Sequence, residues 1–292
     1  MSASPRVPAG PLSRLSPLRL GLTRGWIAFR SMIASREGIT QNLIWNLIPL
    51  GALVLYRDTT LPGTDISFGV GLLPGILALG ITFSVTGTAY YLTSEREDGT
   101  LLRAKALPRG MTSYVVGLSA VAVLDTVASM LMVLLPGMFI VPGVPVGSPV
   151  LWLGLVGYLL LGLLACLPLG ILIGSLVKSP RTVGGLGFFG TMGLSIISGL
   201  FFPLQALWGW VQVLVQMLPL YWLGVGMRSV FLPAEAAAME IGGSWRTLTG
   251  VGVLAAWGVI GLAFGPVLLR RMARRESGST VEARRQQALQ RI

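Results

Sequence analysis

The sequence predicts an all-α membrane protein with six transmembrane helices, and three observations carry that prediction. Hydrophobic residues fill 53% of the 292 positions and charged residues only 11%, for a mean hydropathy of +0.76. Soluble domains carry about 25% charged residues, so most of this surface must meet lipid. The apolar residues gather into runs near the roughly 20 residues that a helix needs to cross a bilayer. The basic residues mostly border those runs.

Residues 1–10 read as an unstructured start. Over 12–37, arginines alternate with leucines and with Trp26, Ile27, Phe29, Met32 and Ile33. That pattern predicts a basic amphipathic helix on the membrane face. Arg6, Arg14, Arg19, Arg24, Arg30 and Arg36, broken up by prolines, leave no apolar stretch of the signal-peptide kind. Six spans follow, at about 39–56, 67–92, 111–141, 150–177, 182–202 and 248–269.

The stretch 203–247 is ambiguous, because two apolar segments flank Pro219. Charge decides the matter. With the N-terminus inside, six spans place 19 of the 22 basic residues on the inner side and leave only Arg57, Arg228 and Arg246 outside. A seventh span would move the arginine-rich tail across the membrane. Residues 203–247 are therefore expected to form two short helices dipping into the outer leaflet on either side of Pro219. Trp208, Trp210, Tyr221, Trp222 and Trp245 would lie at the headgroups. The expected organisation is a cytoplasmic N-terminus with its amphipathic helix (1–37), a six-span domain (38–270) and a basic cytoplasmic tail (271–292).

Several chemistries are excluded. Cys166 is the single cysteine and lies in an apolar run, and the chain has no histidine. Histidine-ligated haem, the usual zinc sites and histidine proton relays are therefore absent. The net charge of +11 follows from topology and anionic lipid rather than from nucleic-acid binding. Sequence repeats of the inverted-repeat transporter kind are not seen.

The most informative segment is 91–109. Ser94 and Glu97 read as an S-x-x-E capping box that starts a short helix just past the second span. Glu95, Glu97 and Asp98 would occupy its first turn, and Arg103 and Lys105 its end, as the helix dipole favours. Pro108 would stop it. Such a helix presents Leu101, Leu102 and Leu107 beside both signs of charge. On these residues alone it could equally be an ordinary capped loop.

The string Glu95-Arg96-Glu97-Asp98-Gly99-Thr100-Leu101, then Leu107-Pro108, resembles the E-R-E-x-G-T-L…P signature of type-2 ABC exporter permeases, of the daunorubicin-resistance kind. The stretch 198–204, with Phe202 and Pro203, then Pro219 and Arg228, is similar to that family's second signature at the outer helices. The resemblance covers nearly the whole chain. The basic tail is a departure for which the family pattern supplies no role.

The resemblance implies a bacterial plasma-membrane subunit of a drug, antibiotic or lipid exporter, with both termini cytoplasmic and roles in multidrug efflux or antibiotic resistance. It implies that Ser94, Glu95, Arg96, Glu97, Asp98, Gly99, Thr100, Leu101 and Leu102 couple to a separate ATPase, present in two copies. A second permease copy or a homologue would complete the assembly. It also implies that Phe83, Thr86, Phe188, Met192 and Ile196 line the pathway. The chain binds no cofactor itself, and ATP and Mg belong to the partner. Its two lysines, Lys105 and Lys178, do not follow the glycine that a phosphate-binding loop requires.

Asp125 is the only carboxylate deep in a span, where a charge costs roughly 3 kcal/mol. It is expected to be protonated or bonded to Thr126, Ser129 or a neighbouring helix. The alternative is an ion- or proton-coupled transporter that uses Asp125. The small residues of the fifth span, among them Gly184, Gly185, Gly187, Gly190 and Gly193, are expected to serve packing within the subunit.

Overall fold

The computed structural model describes residues 16–60, 67–177, 179–201 and 204–275. The expectations for residues 1–10, Lys178, Phe202, Pro203 and the tail past 275 lie outside them. The helices in order are α1 (Pro17–Ala34), α2 (Arg36–Tyr56), α3 (Phe68–Glu97), α4 (Thr100–Ala106), α5 (Gly110–Ile140) and α6 (Pro149–Leu176). Then come α7 (Pro180–Thr182), α8 (Phe188–Ile197), α9 (Gly209–Gln216), α10 (Pro219–Phe231) and α11 (Thr247–Arg275).

Local chemistry explains the starts. Ser16 and Ser35 accept the backbone N–H groups of Arg19 and Gly38 at the heads of α1 and α2. Prolines open α6, α7 and α10, where the missing N–H would have no acceptor in any case. Five helices are long and apolar enough to cross a membrane: α2, α3, α5, α6 and the Thr247–Leu269 part of α11. A sixth candidate arises if α9 and α10, which meet at 86°, count as one bent span.

The core centres on α3, which packs against α5, α6, α8 and α10. Glycines set the closest approaches. A Cβ at Gly170 would meet Val85 and Thr88, one at Gly174 would meet Ala89, and one at Gly258 would meet Leu164. These pairings rise together in number, so α3, α6 and α11 run parallel. Gly137 lies against Leu73, and Val141 against Gly69, so α5 runs the opposite way to α3. Ser129 and Met132 of α5 bond to Asn42 and Asn46, which places α2 parallel to α5.

The fifth span expected at 182–202 is not one continuous α-helix. It is helical from Pro180 to Ile197 but carries a π-helical turn, Val183–Gly187, between α7 and α8. Three glycines in that turn weaken the α-helical preference, and a π turn accommodates one extra residue. The segment nonetheless climbs α3 in the opposite sense. Gly184 lies near Tyr90, Gly187 beside Thr86, and a Cβ at Gly75 would meet the Leu200 carbonyl.

Three other expectations need correction. The 94–97 capping box does not start a helix. Helix α3 continues unbroken to Glu97, and the chain breaks at Gly99, whose φ of +79° suits glycine. Asp98 instead caps α4 by accepting the Thr100 N–H at 2.8 Å. The expected headgroup ring set divides: Trp208 and Trp210 are exposed, whereas Tyr221 and Trp222 are buried, because α10 inserts among α3, α6 and α11. Finally, a Cβ at Gly185, Gly190 or Gly193 would meet nothing within 4 Å among the described residues. The small-residue packing expected there is found instead on α6 and α11.

Candidate functional site

The 94–107 segment forms a compact corner. Glu95 Oε1 accepts from Arg24 Nη2 of α1 at 2.6 Å, and the same guanidinium lies 4.7 Å from the Tyr114 ring centroid. Arg96 is buried, and its Nη1 donates to the carbonyls of Gly174 and Val177 at 3.1 and 3.0 Å. Those carbonyls belong to the end of α6, where helical partners run out. Arg96 therefore pins the end of α3 to the end of α6. Ser94 and Glu97 are half-buried in the last turn of α3, and Asp98 is exposed.

Helix α4 is anchored by Leu101, 1% exposed, within a cluster of Leu92, Ala104, Tyr114, Leu118, Ile171, Leu269 and Met272. Five helices meet in that cluster. Leu102 is half-buried, and Leu107 is 64% exposed beside Arg103 and Pro108. The three leucines expected to act together thus divide, with Leu101 turned into the core and Leu107 turned out. This follows from the short helix, which has one buried face (Leu101, Ala104) and one open face.

The structure also brings three of the five expected pathway residues together. Phe83 of α3 stacks on Phe188 at 5.4 Å, and Trp45 of α2 meets Phe188 at 4.9 Å. The Thr86 hydroxyl lies 2.6 Å from the Thr191 hydroxyl and 3.5 Å from the Gly187 carbonyl. Thr86 therefore holds the π turn against α3. Met192 is half-buried and Ile196 exposed on α8, outside this aromatic group. Around it, α2 exposes Ile44, Leu47 and Ile48, the π turn Leu186, and α8 Phe189.

Of the residues expected in the outer segment, Pro219 opens α10. Arg228 lies at the centre of a buried knot. Its Nε donates to Glu240 Oε1 at 2.7 Å, and Nη1 donates to the Gly199 and Leu200 carbonyls at 2.9 and 3.2 Å. It thereby ties α10 to the end of α8 and to the loop before α11. Glu240 is 3% exposed, and its Oε2 has no hydrogen-bond partner among the described residues.

Asp125 is half-buried and makes no hydrogen bond among the described residues. The hydroxyls expected to satisfy it are engaged elsewhere. Thr126 donates to the Ala122 carbonyl and Ser129 to Asn42 Oδ1. No group of three or more potential metal-binding side chains occurs among the described residues.

Sequence reasoning missed Arg24, Trp45, Tyr114, Thr191 and Glu240. Only Glu240 left a signal: an arginine inside an apolar helix requires a counter-charge, and 203–247 offers just Glu235 and Glu240.

Fold and site together define a polytopic helical membrane protein with a pinned helical corner at one end of its bundle. A family model described as ABC-2 family transporter protein matches residues 41–265, and the chain belongs to that family. It is thus the membrane component of an ABC transporter, a transport subunit and not itself an enzyme, of a kind that works with an ABC ATPase partner. Membership sets aside the ion-gradient alternative. No curated protein matches the sequence.

Proposed function

We propose that this chain is the permease subunit of an ATP-driven exporter that moves a hydrophobic or amphipathic substrate, such as a drug, antibiotic or lipid, out across a bacterial plasma membrane. Two copies, or one copy and a homologous permease, stand on two separate ATPase subunits that hold ATP and Mg. The observation that carries this reading is α4. One of its faces is sunk into a cluster shared by five helices, and the other offers Arg103 and Leu107 to a partner. A push on that open face reaches α3, α5, α6 and α11 together.

The six-span topology supports the same reading. Because α6 and α11 run parallel, the chain must recross between them, and Pro180–Ile197 climbs α3 in the required direction. Its 18 residues at about 1.5 Å each rise roughly 27 Å, close to the ~30 Å hydrocarbon core. The α9–α10 pair then enters and leaves from one side as a re-entrant hairpin. Positive-inside charge supports a cytoplasmic side for the α4 corner, residues 1–37 and the tail from 271, with α1 at the membrane face. The exposed apolar faces of α2 and α8, with Gly185, Gly190 and Gly193 open, suit close approach of a second permease. Phe83, Thr86, Phe188, Met192 and Ile196 would then border the pathway.

The test is reconstitution with the cognate ABC ATPase. Leu107→Asp should abolish substrate-stimulated ATP hydrolysis while the permease stays monodisperse. Unchanged stimulation would sink the docking role of α4.

A further inference from the structure

On the side of the bundle away from α2 and α8, an apolar crevice of about 300 Å³ separates α6 from α11. Its walls are Pro168 and Leu169 on α6 and Trp257, Phe264 and Leu268 on α11. The crevice has an identifiable origin. A Cβ at Gly261 would run into Pro168, so the two helices touch there. At Gly265, one turn on, a Cβ would meet nothing within 4 Å although the residue is buried. The helices have parted, and no side chain among the described residues fills the gap.

From this geometry we infer that the crevice is a binding site for one anionic phospholipid, drawn from the leaflet at the arginine-rich end of α11. Three observations select that occupant. The crevice lies between two membrane-spanning helices, so hydrocarbon is what it meets. From Trp257 to Leu268 it runs eleven residues, about 16 Å at 1.5 Å per residue, which is close to half of the ~30 Å hydrocarbon core and hence one leaflet. It also ends in charge. Arg271 is exposed and follows Leu268 by three residues and Phe264 by seven, so it stands on the same helix face just below the opening. The acyl chain lies against Trp257 and Phe264, and Arg271 takes the phosphate. This assignment rests on the membrane-spanning reading alone and does not require the ATPase.

Trp257 is a built-in reporter. The full chain is reconstituted in phosphatidylcholine vesicles with rising fractions of phosphatidylglycerol, one of the two lipids carrying brominated acyl chains. The Trp257 share of the quenching, among eight tryptophans, is the difference from Trp257→Phe. Half-quenching is expected at about fivefold lower mole fraction for phosphatidylglycerol than for phosphatidylcholine, the discrimination one arginine supplies at a charged interface. Arg271→Gln should equalise the two lipids. Gly265→Leu should remove Trp257 quenching by both and leave the other tryptophans unchanged. Equal quenching by the two lipids in the unaltered chain overturns the assignment, as does preferential uptake of a neutral apolar dye. Should Gly265→Leu fail to fold, the Arg271→Gln comparison decides alone.

Discussion

Replacing Arg228 with alanine removes one charge-assisted bond to Glu240 and two bonds to the Gly199 and Leu200 carbonyls, and leaves a carboxylate that is 3% exposed with no other ion-pair partner among the described residues. Removing one partner of a buried ion pair costs about 3–5 kcal/mol. At about 2 °C per kcal/mol for a chain of this size, the apparent melting temperature should fall by roughly 6–10 °C. Glu240→Ala should cost less, because the guanidinium keeps both carbonyls. In the double variant no unpaired carboxylate remains, so its loss should fall short of the sum of the single losses by about 2 kcal/mol, within the range seen for contacting residues. The assay is the fraction of detergent-solubilised protein that stays monodisperse after heating, read for all four chains. Additive losses would refute the argument, since they would mean that the two groups do not sense each other.

Three further outcomes follow from the α4 corner and from Asp125. Leu101→Ala should lower stability by about 2–5 kcal/mol through the cavity it opens in the five-helix cluster, seen as a lower melting temperature; a functional loss without destabilisation would contradict its buried placement. Glu95→Arg should weaken substrate-stimulated ATP hydrolysis, and the added change Arg24→Glu should restore most of it, whereas no rescue would show that the pair does not join α1 to α3. Asp125→Asn should leave ATP-driven transport intact and raise thermal stability modestly by removing an unbonded acid from a span; lost transport would show that the carboxylate is used.

Most of the fold was legible because hydropathy marks lipid-facing helices directly. The expected spans match α2, α5 and α6 within a few residues. What escaped was helix that carries on past the apolar run. Residues 93–97 are polar yet continue α3, since hydropathy reports the solvent around a helix and not its hydrogen bonding. The π turn also escaped, because a glycine run reads alike as close packing or as a weak point. Of the site, the 95–101 string was legible as a pattern, but what its members touch was not. Nothing distinguishes Arg24 from the four other arginines before α2, and the burial of Tyr221 and Trp222 depends on where α10 inserts, which ring chemistry does not encode.

Helix α2 is the least apolar of the five continuous candidates and the least buried in the rest of the chain. Asn42 and Asn46 reach across to Ser129 and Met132, which are made more than eighty residues later. The first span to leave the ribosome therefore enters the bilayer before its polar partners exist. Its residence there is provisional until α5 arrives, so synthesis order becomes part of this protein's stability. A chain arrested between the two would hold α2 only loosely, and quality control would meet that intermediate before any transport function existed to select for it.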